Sequence, residues 1–334
     1  MELIKSNFPL RGVVESRVGG RSENQDYYGF RDTAIGTAVV VCDGMGGMQG
    51  GQVASMLAVN HILAVIENAP AEADTVDVLN HAIQHANNAI LKAGSENPEL
   101  YGMGTTVTAL ILSPQCATVA YVGDSRVYQL RKGKKHFRTF DHSMVFEMVK
   151  SGVLNEEQAR LSDQSNVILK ALGVFETIEA DTFQLPYRKG DRFILCSDGF
   201  WGCMPEDDFI KHVGQGQEVG GTLESMANRV EAIGRNSGGN YDNLTAAIVD
   251  VNCNSLMKEK MSNTVKTIIG VLALLLVISL TLNIIYLPKA MSANKAQTEQ
   301  TVSEKVEEQA VTPTVEIVEE IPEEDTALDT VSQN

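Results

Sequence analysis

Cysteine is scarce in this chain of 334 residues: there are five, at 42, 116, 196, 203 and 253. The number is odd and no two stand in C-x-x-C spacing, which argues against a disulfide framework and against a cysteine-based zinc cage. Cys42 and Cys196 end apolar runs and read as core residues of a reduced, cytosolic body. Positive charge is also short, with 27 Lys and Arg against 43 Asp and Glu and a net charge of −16. A protein that grips nucleic acid sets lysine and arginine against phosphate, so this balance speaks against a nucleic-acid partner. The N-terminal MELIKSNFPLRGVV lacks the apolar stretch of a signal peptide. No internal repeat is visible.

What is present divides into regions. Residues 1–253 mix apolar and polar positions with many glycines, and the 43% hydrophobic content is enough for a sizeable core. Residues 254–266 read as a linker. Residues 267–287 are TIIGVLALLLVISLTLNIIYL, without a single charge. A helix rising ~1.5 Å per residue over that length spans roughly 30 Å, the thickness of a bilayer core, so a transmembrane helix is predicted there. Lys258, Lys260 and Lys266 precede it and Lys289 and Lys295 follow it. That bias and the missing signal peptide predict a single-pass protein in the lipid bilayer, with the N-terminal region cytoplasmic. The tail, 288–334, carries 11 acidic residues and 3 lysines, has little aromatic content, and is predicted to be disordered and outside.

Within the first region strands and helices alternate in blocks. GTAVVVCD (36–43) is an apolar strand ending in an acid. Residues 49–67 and 75–93 have helical periodicity, the second opening after Asp74 as a cap. TTVTALIL (105–112), ATVAYVG (117–123) and RVYQLR (126–131) are β-rich runs joined by short turns, which predicts an antiparallel meander. RFILCSD (192–198) and LTAAIVDV (244–251) are two further strands. Two helices in succession followed by many strands favours an α+β fold.

The informative feature is where the aspartates fall. Asp43 ends one apolar strand, Asp198 ends another, Asp124 follows YVG, and Asp242 stands just before the last strand; Asp26 follows RSENQ. Aspartate forms strands poorly and is costly to bury alone. Acids repeated at strand ends are explained if they converge on cations. Many carboxylates and few histidines make a hard, oxygen-rich set, suited to magnesium or manganese and not to zinc. For any one Asp-Gly the ordinary turn reading competes; it does not account for all five settings on one chain.

Seven segments, RSENQD (21–26), VVVCDGMGG (39–47), GMGTTVTALIL (102–112), VGDSRVY (122–128), DHS (141–143), ILCSDGFWG (194–202) and DNLTAAIV (242–249), occur in the order found in the type 2C, or PPM, metal-dependent protein phosphatases. The chain resembles that family, in its bacterial form, over roughly residues 10 to 251. The resemblance implies a four-layer α-β-β-α sandwich of two antiparallel sheets flanked by helices, with a metal cleft at one end. It implies hydrolysis of phosphoserine and phosphothreonine on proteins, the products of serine/threonine kinases, by a metal-activated water at a binuclear magnesium or manganese site. By motif match Asp43 would bridge two tightly held ions, the Gly44 carbonyl would ligate one, Asp198 and Asp242 would hold the first, and Asp26 would act through water. Gln25 would stand near the second ion, and Asp124 would help hold a third, weaker ion. Arg21 would bind substrate phosphate, since guanidinium offers two parallel donors.

Two departures from the pattern bear on rate. Gln25 stands where many family members have Glu, and Met45 replaces the histidine proposed as general acid in animal relatives. A catalytically inactive phosphatase-like binding or signalling module is the alternative reading; the presence of Asp43, Asp198 and Asp242 counts against it. His81 and His85, four apart on a helix, could share a metal but read as ordinary helix residues. His142 could order the loop near the cleft. Residues 143–175 would form a flap beside the active site.

Overall fold

The structure, a computed structural model, describes residues 1–47, 49–214, 218–259 and 263–308. In chain order the first strands are β1 (Glu2–Leu3), β2 (Leu10–Arg17), β3 (Asp26–Thr33) and β4 (Gly36–Met45). Helices α1 (Gly50–Glu67) and α2 (Thr75–Glu96) follow, then β5 (Gly104–Thr105), β6 (Val107–Leu112), β7 (Ala117–Val122), β8 (Arg126–Arg131) and β9 (Lys134–Arg138). After the short helices α3 (Met144–Lys150) and α4 (Glu156–Arg160) come β10 (Asp181–Leu185), β11 (Arg192–Cys196) and α5 (Asp198–Trp201). Helices α6 (Glu206–Val213) and α7 (Val219–Asn236), strand β12 (Leu244–Val251) and helix α8 (Asn263–Glu308) complete the order.

Two sheets result, one ordered β1-β2-β12-β11-β8-β9 and the other β10-β7-β6-β4-β3, with β5 added beside β4. Every pairing is antiparallel. The central strands are apolar on both faces, and their two-residue period divides them between layers. In β4, Val39 and Val41 enter the core between the sheets, while Ala38, Val40 and Cys42 meet α1 and α2. In β11, Phe193 and Leu195 enter that central core, while Ile194 and Cys196 join the cluster under α6 and α7. The expected α+β, four-layer sandwich is the observed architecture. Asp74 caps α2 as expected, accepting from the backbone N–H groups of Val76 and Asp77.

The predicted meander is corrected. β6 and β7 pair, but β8 lies in the other sheet, against β11. The chain changes sheets at Gly123, Asp124 and Ser125. All of β6 and β7, and all but the last residue of β8, are buried, so nothing local in these runs marks which sheet each joins.

The compact unit runs Met1–Glu259, past the expected end at residue 253. Residues after β12 are tied down: the N–H groups of Ser255, Leu256 and Met257 donate to the carbonyls of Tyr187, Pro114 and Gln115. Glu259 accepts from Arg131 and Arg188. A second unit comprises Lys260–Asn334. Its helix α8 contains the uncharged stretch 267–287 and continues to Glu308. Among the described residues no helix is long and apolar enough to cross a membrane. The last part of the tail expected to be disordered, 309–334, lies outside the described residues.

Candidate active site

The sandwich brings five separated segments to one of its ends. β3 and β4 pair so that Asp26 stands opposite Asp43. Asp198 follows β11, Asp242 precedes β12, and these two strands are neighbours. Asp124 sits at the change of sheet. A cavity of about 420 Å³ opens here, lined by Arg21, Gln25, Asp43, Gly44, Asp124, Asp198 and Asp242 among others. Every predicted site residue except Asp26 is on that wall. Asp26 lies behind it, 4% exposed, and accepts a 2.8 Å hydrogen bond from the Ser197 hydroxyl.

Glycine is required at Gly44 by close approach. A Cβ there would stand 2.0 Å from the Gly51 carbonyl oxygen and 2.6 Å from that of Gln25. The Gly44 N–H donates to the Gln25 carbonyl at 3.1 Å, so the RSENQD loop and the GMGG turn are held together at the cavity.

Electrostatics set this wall apart. Burial is the first cause and neighbouring carboxylates the second. Asp43 is pushed well above the usual carboxylate range by burial and then by Asp26, Asp198, Asp124 and Asp242. Burial and the charges of Asp198 and Asp141 do the same to Asp124. Asp26 is raised to about 7, chiefly by burial, and Asp198 to about 6, by burial and Asp242. Among the described residues, Arg21 alone is ion-paired with an acid lining the cavity, its Nη2 lying 2.9 Å from Asp242 Oδ2. Oδ1 of Asp26 and Oδ1 of Asp198 are buried with no hydrogen-bond partner.

These orphaned oxygens and mutually repelling acids fit divalent cations. Among the described residues no three His, Cys, Asp or Glu side chains form a ready-made cage around one point. That spread is compatible with magnesium-like ions, which keep several waters and take one or two protein carboxylates each. It does not suit a dehydrated ion such as structural zinc.

Sequence reasoning overlooked the residues that assemble the wall. Asn243 donates from Nδ2 to the carbonyls of Val18 (2.8 Å) and Glu23 (2.9 Å) and accepts from the Gln25 N–H at 2.8 Å. One amide thus fixes the whole RSENQD loop, and only its place beside Asp242 in DNLTAAIV hinted at it. The Thr106 hydroxyl accepts from the Asp43 N–H at 3.0 Å and pairs with the Ser125 hydroxyl at 2.8 Å. Met45 lines the cavity, and the flap contributes Asn166 and Ile168. His81 and His85 lie with His61 on α1 and α2, away from these residues, ring centroids 6.3 and 5.1 Å apart.

The family model for protein phosphatase 2C matches residues 15–236. The chain belongs to the protein phosphatase 2C family. It is 33% identical over 238 residues to the serine/threonine phosphatase Stp of Listeria innocua, covering 70% of this chain and 92% of that protein. Among solved structures it is similar to the serine/threonine phosphatase PstP/Ppp of Mycobacterium tuberculosis, with a TM-score of 0.65, 29% identity, and coverage of 73% of this chain and 99% of that one. It is also similar to the catalytic domain of PstP in complex with 2 manganese ions, with a TM-score of 0.61, 30% identity, and coverage of 73% and 98%. As a member of this family the chain is a serine/threonine protein phosphatase.

Proposed function

We propose that this 2C-type phosphatase hydrolyses phosphoserine and phosphothreonine esters on proteins phosphorylated by serine/threonine kinases, using two manganese or magnesium ions and a weaker third, while tethered to a membrane. The observation that supports the reading best is the gathering of mutually repelling carboxylates at one cavity, with Asp26 and Asp198 each keeping a buried oxygen without a hydrogen-bond partner. Residues Asp43, Asp198 and Asp242, the Gly44 carbonyl and, for the third ion, Asp124 would hold the cations. Such ions, when bound, acidify water and neutralise charge on phosphoryl oxygens.

The chain's own residues do the rest. Arg21, its side chain 47% exposed, holds Asp242 through Nη2, and its other donors can turn to a phosphate dianion. Asp26, buried behind the wall opposite Asp43, would act on the ions through water. Met45 offers no proton, so the leaving alkoxide must be protonated from elsewhere on the wall. Release of phosphate from a phosphothreonine peptide, dependent on manganese and abolished reversibly by chelation, tests this reading. Metal-independent turnover would sink it.

The tether rests on the uncharged stretch 267–287 within α8 and on its flanking lysines. The catalytic unit would face the cytoplasm and the acidic tail the outside. Membrane fractions of expressing cells, washed with alkaline carbonate, should retain the full chain and lose one ending at Glu259. Recovery of the full chain in the wash would remove the tether.

A further inference from the structure

At the change of sheet, Gly123 is held twice by one residue. The backbone N–H of His142 donates to the Gly123 carbonyl at 2.9 Å, and the Gly123 N–H donates to Nδ1 of the His142 ring at 3.2 Å. The residue is 6% exposed, and its ring stacks on Tyr121 with centroids 4.8 Å apart and planes at 16°. A ring that accepts at Nδ1 carries its proton on Nε2 when neutral. That atom is buried without a hydrogen-bond partner, with Asp181 Oδ2 at 3.5 Å.

The same residue reaches the flap. The Leu169 N–H donates to the His142 carbonyl at 2.7 Å, Ser143 bridges Ile168, and the Met144 N–H donates to the Val167 carbonyl at 2.9 Å. Asn166 and Ile168 of this limb line the cavity. Gly123 has φ +105°, and a Cβ on it would lie 2.6 Å from Thr106 Cγ2. Asp124 therefore follows a glycine, the residue with the widest conformational freedom, and needs an external clamp to hold its carboxylate in place.

We propose that His142 is a positioning residue for the reaction: its paired hydrogen bonds to Gly123 set Asp124 in the cavity wall, to which its carbonyl and the backbone of Ser143 and Met144 also join flap residues 167–169. It acts through Asp124 and does not touch substrate. The proposal rests on the phosphatase reading of the cavity.

A double-mutant cycle on the full-length chain in detergent, with manganese and a phosphothreonine peptide, tests it. His142→Ala should lower kcat about 10–100-fold, the range for residues that orient a functional group, and move KM less. His142→Asn, whose amide oxygen can accept from Gly123 in place of Nδ1, should recover most of that loss. His142→Gln, with its oxygen one bond farther out, should recover less, and this order can be read even if the alanine variant fails to fold. In an Asp124→Ala background, His142→Ala should cost little more. Equal losses in both backgrounds, an unimpaired Asp124→Ala, or Gln outperforming Asn would each overturn the positioning role. A wild type inactive on the peptide would instead bring down the phosphatase reading and this inference with it.

Discussion

Asp191 and Asp198 flank the five residues of β11 and so lie at opposite ends of the sandwich. Asp191 is 1% exposed and fully partnered, accepting from Arg131 Nε at 2.8 Å and Nη2 at 2.6 Å, Gln129 Nε2 at 2.8 Å and the Arg188 N–H at 3.0 Å. Burial alone would raise its carboxyl; the hydrogen bonds from Arg131 and Arg188 overcome that and hold it below the usual range. Asp198 faces other acids and is raised to about 6. On β12, Asp250 is likewise partnered, by Arg192, whereas Asp242, just before that strand, lines the cavity with Asp198. Where this protein buries an acid for structure, it surrounds it with donors. Where it leaves acids facing one another, the folded state carries a cost that a bound cation would relieve, the setting in which functional sites cluster.

The contrast can be broken from either end. The largest effect is expected from Asp43→Ala or Asp198→Ala, which should lower phosphate release by at least ~10²–10³-fold, as for loss of a group that stabilises transition-state charge. Melting temperature without metal should hold or rise, because a repelled buried carboxylate has been removed. Near-normal turnover in either variant would remove the two-ion reading. Asp191→Ala should do the opposite. It takes an acceptor from the buried Gln129 amide, from the Arg188 N–H and from the half-buried Arg131 guanidinium, which keeps Glu259, at about 1–3 kcal/mol of stability seen in chemical denaturation. Its kcat per folded molecule should stay near wild type, and a selective loss of activity would merge the two ends.

A third test follows the pH dependence of Asp26. Its folded carboxyl titrates at about 7, against ~3.9 in an unfolded chain. The fold therefore favours the protonated form, and this contribution is fully present below the unfolded value and lost as pH rises towards 7. In chelator, Asp26→Asn should gain melting temperature over wild type by a few degrees across that window and level off above it. Manganese should narrow the gap. A difference that does not change with pH would show that Asp26 is not repelled. The smallest effect concerns Gln25→Glu, which adds a charge to the cavity wall. The manganese concentration for half-maximal activity should fall a few-fold, with maximal rate nearly unchanged. An unaltered metal requirement would place Gln25 away from the ions.

Much of the site was legible because its chemistry sits at strand ends. Asp43, Asp124, Asp198 and Asp242 each interrupt or adjoin an apolar run, and all four line the cavity. The helices α1 and α2 were legible from periodicity and from the cap at Asp74. Strands β2, β3, β9 and β10 were not. Each has partly or fully exposed positions, so it lacks the continuous apolar signature of β6 or β11. Asn243 was invisible as a keystone because its three partners lie more than two hundred residues away along the chain.

By itself, the amino-acid sequence determined the kinds of group available and their local setting: acids and glycines after apolar strands, a guanidinium in a loop, no histidine at residue 45. Those are properties of neighbours along the chain, governed by side-chain period and backbone freedom. Only the tertiary structure decided that β7 and β8 part company, so that Asp124 stands at a passage between sheets rather than in a hairpin. It alone placed Asp26 behind Asp43, gave His142 its double hold on Gly123, and bound Glu259 to Arg131 and Arg188. Each of these joins segments that are separate along the chain, and strands buried on both faces carry no local sign of which partner they will meet.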